Sequence, residues 1–155
     1  MKHKQYVITH LLTLLCVLML CIPLYAQQGL KIAPLFNGQY RYMKGTTEVL
    51  LKGRKLAPYK LKLFRSITVG TEHVNLVQVE RMVKSDATTA IDKEISSKQG
   101  HLYYAFYQLR PLGSTRRYLF YKNNALNAKG HNNTFTLIYM EGTATLDELK
   151  RNFAK

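Results

Sequence analysis

Apolar residues recur along this chain with two distinct periods. Ile32, Leu35, Phe36, Tyr40 and Met43 follow at near-helical spacing, with Pro34 in an early turn and Gly45 beyond the end, which predicts a helix within 30–44. Gly38 weakens that helix by about 1 kcal/mol. The short β-branched run TTEVLL then predicts a strand over Thr46–Leu51, stopped by Gly53. Residues 59–69 fit both periods: Leu56, Tyr59, Leu63 and Ile67 are spaced as in a helix, while Tyr59, Leu61, Leu63, Ile67 and Val69 share one parity. Pro58 and the tail ITV favour an extended Leu61–Val69.

After Thr71, the residues Leu76, Val79, Val83, Ala87, Ala90, Ile91 and Ile95 trace one side of a long helix, about 40 Å at 1.5 Å per residue. A break at Ser85 and Asp86, either able to cap a second helix, is the alternative. Beyond Gly100 the period changes. HLYYAFYQL, RRYLFYK and TFTLIYME are aromatic, β-branched segments separated by the turn formers PLGST and NNALNAKGHNN, and they predict three antiparallel strands. In the first of them, Leu102, Tyr104 and Phe106 fall on one side and Tyr103, Ala105 and Tyr107 on the other, the bulk expected of a central strand. TLDELKRNF closes the chain as a helix that begins with a Thr145 to Glu148 capping box and turns Leu146, Leu149 and Phe153 inward. The order α β β α β β β α predicts an α+β fold, a mostly antiparallel sheet of four to five strands with helices packed on one face.

The first 26 residues follow a different pattern. Lys2 and Lys4 precede an apolar stretch from Leu11 to Ile22, followed by Pro23 and the small Ala26, the order of a secretory signal cleaved after Ala26. A membrane anchor needs about 20 apolar residues, and widening the stretch to 7–25 takes in His10 and Pro23. Cys16 and Cys21 each follow a leucine, which argues against lipid attachment. Both cysteines leave with the signal, so residues 27–155 form a single cysteine-free domain, held by packing alone, with no membrane-spanning helix. Export places it in the periplasm or at the cell surface. Without Lys2 and Lys4 it carries 21 Lys and Arg against 9 Asp and Glu, a formal charge of +12. Such an excess attracts anions without specifying which.

Gly53, Leu56, Pro58, Tyr59, the run FRS at 64–66, Lys93 with Glu94, RRYLFY at 116–121 and LIYMEG at 137–142, behind a leader ending in AQQ, resemble a group of small secreted domain-of-unknown-function proteins from Bacteroidetes-type bacteria. The resemblance covers nearly the whole mature chain. It implies export and a compact fold, and it carries no activity and no catalytic residue.

Motifs that bear chemistry are sparse. His73, His101 and His131 form no short-spaced pair and have no thiolate partner, so neither a metal site nor a cofactor is expected. Ser66, Ser85, Ser96, Ser97 and Ser114 lie outside any G-x-S-x-G turn, and the dispersed glycines form no phosphate-binding loop. RRYLFYK invites comparison with base-stacking sheets but lacks their glycine pattern, and export disfavours nucleic acid. The alternative to a non-catalytic domain is a small periplasmic hydrolase using Glu141 with a histidine, His101 or His131, in a cleft.

The strongest signal is the stretch LKGRKLAPYKLKLFR. Lys52, Arg54, Lys55, Lys60, Lys62 and Arg65 lie within 14 residues, and between Lys31 and Arg65 nine basic residues face a single acid, Glu48. A solvated edge strand would account for much of this. A basic surface, extended by Arg116 and Arg117 and by Lys122, would instead dock the domain to an anionic envelope lipid, a glycan or an acidic protein.

Overall fold

The computed structural model describes residues 29–126 and 133–153, with side chains as far as Arg151. Six strands form one antiparallel sheet: β1 (Thr47–Lys52), β2 (Leu61–Gly70), β3 (Asp92–Lys98), β4 (His101–Leu112), β5 (Thr115–Asn123) and β6 (Thr134–Gly142). Their order is β1-β2-β6-β5-β4-β3, so β6 inserts between β2 and β5 and closes the two hairpin-built halves into one sheet. Helix α1 (Leu76–Asp86) joins β2 to β3, and α2 (Leu146–Phe153) ends the described chain. The predicted signal segment 1–26 and His131 lie outside the described residues.

Four expectations are corrected. The sheet has six strands rather than four to five, and its two helices lie on opposite faces: Val79 and Val83 of α1 join one core cluster, Leu149 of α2 the other. The N-terminal helix is only a 3-10 turn, Ala33–Phe36, followed by further turns, in keeping with Gly38 at φ 87°. The long helix stops at Asp86, where the alternative placed its break, but a strand and not a second helix comes next. The Asp86 carboxylate accepts the backbone amides of Lys31 (2.6 Å) and Ile32 (2.9 Å), and Thr88 bonds back to the carbonyl of Ser85. The second half of the periodic stretch becomes β3, an edge strand along β4, and leaves Ile91 and Ile95 58% and 50% exposed. Helical spacing there was coincidence; a ready partner strand decided the conformation. Finally, a bulge shifts the β3–β4 register between Ser96 and Ser97, so that Ser96 faces Tyr104 and Ser97 faces Leu102. Leu102 therefore shares a face with Ala105 and Tyr107, not with Tyr104 and Phe106.

Local rules account for the element ends. Asn75 caps α1 by accepting the amide of Gln78 at 3.1 Å. The capping box of α2 closes as predicted: Thr145 Oγ1 accepts the Glu148 amide (3.3 Å) and Glu148 Oε2 accepts the Thr145 amide (2.8 Å). Between β1 and β2 the chain runs as a 3-10 segment, Gly53–Tyr59, and leaves it through Lys60 at φ 54°. The Lys60 carbonyl then accepts the amides of Thr143 (2.8 Å) and Ala144 (3.1 Å), fastening this connection to the end of β6. Gly142 makes that approach feasible, because a Cβ there would lie 2.2 Å from the Lys60 carbonyl oxygen.

The two sheet faces are covered unequally. On the first, Ile32, Phe36, Val79, Val83, Leu119, Tyr121, Phe135, Leu137 and Tyr139 belong to one buried cluster beneath α1 and the N-terminal turn. On the second, Leu56 of the 3-10 segment and Leu149 of α2 cover Leu61, Tyr118 and Met140, whereas Phe64, Tyr104, Phe120 and Ile138 stay only partly buried.

Candidate functional site

The eight predicted cations separate into two groups. Lys60 Nζ meets Glu148 Oε1 at 2.5 Å, linking the β1–β2 connection to α2. Glu148 is thereby held far below the ordinary carboxylate range, at about 2, chiefly by the Lys60 hydrogen bond. Arg65 donates to the Phe36 carbonyl, lies 5.1 Å from the Phe36 ring and stands 3.5 Å from Glu48. Arg116 donates to the Thr143 carbonyl at 2.6 Å and Arg117 to the Arg110 carbonyl at 2.9 Å. As consecutive strand residues, these two project to opposite faces. Half of the predicted surface therefore binds the protein's own backbone and carboxylates.

Lys52, Arg54, Lys55 and Lys62 remain exposed, and no carboxylate pairs with them among the described residues. All four belong to one corner of the sheet, the end of β1, the 3-10 segment and the start of β2. The register brings Arg116 and Arg117 to the same end: Lys52 pairs with Leu63, Leu63 with Glu141 and Glu141 with Arg117, while Gly142 links Leu61 to Arg116. That end of the sheet is cationic, with four side chains left for solvent.

Of the two acid–histidine pairs proposed for catalysis, Glu141 and His101 do not converge, and the pair with His131 falls outside the described residues. Glu141 stands near the end of β6 and accepts the Tyr139 hydroxyl at 2.6 Å, whereas His101 opens β4 in the β3–β4 hairpin at the opposite end of the sheet. His101 Nδ1 instead lies 3.2 Å from the buried Glu80, whose other oxygen accepts the Leu102 amide at 3.2 Å. Glu80 thus ties α1 to the start of β4. His73 rests against the Lys44 carbonyl at 3.3 Å. Among the described residues no three His, Cys, Asp or Glu side chains converge as metal ligands, and no helix is long and apolar enough to cross a membrane. Burial raises the Tyr121 phenol, and neither its hydroxyl nor Asn123 Nδ2 has a hydrogen-bond partner among the described residues.

A feature that the one-dimensional pattern did not single out lies on the half-covered face. Beside α2 a groove of about 360 Å³ opens onto four strands, floored by Phe64 of β2, Ile138 and Met140 of β6, Phe120 of β5 and Phe106 of β4. Tyr104 stands at one side, its ring 5.4 Å from that of Phe120 in an edge contact. Burial raises the Tyr104 phenol, with Glu94 adding to the effect. Two lysines border the groove. Lys150 is held by Glu94 at 2.9 Å, which raises its ammonium, and Lys122 has no ion pair among the described residues. The signal that would have found this groove is parity: residues 104 and 106, 118 and 120, and 138 and 140 share one face, and one short helix cannot cover so many large side chains.

No curated protein and no solved structure matches this chain. Residues 19–153 match a family defined only as one of unknown function, and by that match the chain belongs to the family of unknown function DUF6108.

Proposed function

We propose that this chain is an exported, non-catalytic binding domain that docks to an anionic lipid surface of the cell envelope through Lys52, Arg54, Lys55 and Lys62. One observation supports this above the others: these four cations gather at one corner of the sheet with no partner carboxylate among the described residues. Lys60 and Arg65 lie close in sequence but are neutralised by Glu148 and Glu48, so they act as scaffold. Each free cation near an anionic membrane contributes about 1 kcal/mol, enough in sum to shift binding by about a thousandfold.

The test is co-sedimentation of residues 27–155 with phosphatidylglycerol vesicles across a salt series, beside phosphatidylcholine vesicles. Binding should appear only on the anionic vesicles and fade as the screening length drops towards about 8 Å. Changing Lys52, Arg54, Lys55 and Lys62 together to Gln should abolish it. Affinity indifferent to salt, or retained by that variant, overturns the proposal; binding to an acidic glycan or protein and not to vesicles would move the same surface to another partner.

A further inference from the structure

We infer that the groove on the half-covered sheet face is a binding site for a fatty-acid-class monoanion, its acyl chain lying along Phe64, Phe120 and Ile138 and its carboxylate meeting Lys122. This site is separate from the basic corner and does not depend on the docking role. The volume, about 360 Å³, falls in the range of small-molecule sites, roughly 300–1,000 Å³. The lining chemistry narrows the ligand. Apart from the Tyr104 hydroxyl and the two lysine ammonium groups, the lining side chains among the described residues are apolar, and no carboxylate or side-chain amide is among them. A sugar needs acceptors for its hydroxyls and an amine needs an anion, and the described residues of the wall offer neither beyond one phenol. An acyl chain needs only apolar surface, and a carboxylate needs a donor that is not already neutralised. Lys150 is committed to Glu94, whereas Lys122 has no ion pair among the described residues.

Apart from Leu149 and Lys150 of α2, the side chains that form the groove are fixed by strands. Lys122 lies across from Tyr104 on β4 and from Thr136 on β6, and Phe120 lies across from Phe106 and Ile138. The ammonium therefore sits one residue pair further along the sheet than the aromatic floor, at the groove's end, the geometry of an anionic head following an apolar body. The occupant that competes is internal, the chain's own Phe153, four residues beyond Leu149 in the sequence.

The experiment is calorimetric titration of the mature chain with dodecanoate below its micellar concentration, with amide chemical shifts to locate the site. Saturable one-to-one binding is expected, with the largest shifts at Phe64, Phe120 and Ile138. Dodecyltrimethylammonium should bind at least about tenfold more weakly, and Lys122→Gln should weaken dodecanoate about tenfold while leaving dodecanol unchanged. Lys122 is half-buried on a strand, so an unaltered melting temperature confirms that this variant folds. The quadruple Gln variant of the basic corner should keep dodecanoate binding, which separates failure of this site from failure of the docking surface. No saturable binding, equal affinity for the cationic amphiphile, or indifference to Lys122→Gln overturns the inference. Binding by Phe153→Ala but not by the natural chain overturns it as well, and assigns the groove to the chain's own phenylalanine.

Discussion

One sheet presents two faces built from similar residues, and they differ in what lies on top. The face beneath α1 is roofed by two elements: Phe36 from the N-terminal turn and Val79 and Val83 from α1 are fully or nearly fully buried, as are Leu119, Phe135 and Leu137 from the strands. Among the described residues, the face beneath α2 is roofed over one end, and Tyr104, Phe106 and Phe120 meet one another edge to edge across the strands. Aromatic content is thus no measure of core. A ring next to a second layer belongs to the stability of the fold, and a ring next to solvent is free to meet something else.

Substitutions sharpen this contrast. The largest effect is expected from Phe135→Ala on the roofed face, which leaves a closed cavity and should cost about 3–5 kcal/mol in denaturant unfolding. Phe120→Ala on the half-covered face opens the groove without creating a sealed void, and should cost about 1–2 kcal/mol, the transfer part alone. Equal losses at the two positions would show the faces to be equally sealed. Between them falls Gly142→Ala. Its Cβ would meet the Lys60 carbonyl oxygen at 2.2 Å and Leu61 Cα at 2.7 Å, backbone atoms that cannot rotate away, so thermal unfolding should report a loss of about 3 kcal/mol.

Glu80→Ala tests how α1 is held over the roofed face. It strips an acceptor from the buried Leu102 amide and a partner from His101, and should destabilise by about 1–3 kcal/mol. Hydrogen exchange should rise most in α1 and at the start of β4. The smallest effect concerns α2. The Glu148 carboxyl is held below its unfolded value of 4.5, at about 2, by Lys60, so its stabilising contribution is present above the unfolded value and disappears as pH falls through about 2. Between pH 5 and pH 2, the protection of the α2 amides relative to their intrinsic exchange rates should fall in the natural chain and change little in Glu148→Gln; the same fall in both would remove the role given to the Lys60 pair.

Elements whose cause is local were legible before any coordinates. The Thr145–Glu148 capping box and the strands around residues 101–112, 115–123 and 134–142 rest on neighbours a few residues apart, and they form. Stretches with two admissible conformations were not. Residues 87–98 carry helical spacing, yet β4 offered an open edge and Asp86 turned to the Lys31 and Ile32 amides. The basic segment shows the same limit, since nothing within 52–65 tells that Lys60 meets Glu148, 88 residues away, or that Arg65 bonds the Phe36 carbonyl.

Alternation and capping act over a few residues, so the amino-acid order alone sets that a mostly antiparallel sheet forms and where the final helix begins. Which described cations stay unpaired, which face α2 leaves half open and where β6 inserts came with the folded arrangement. Those outcomes depend on contacts between segments far apart in the chain, whose energies no local pattern encodes.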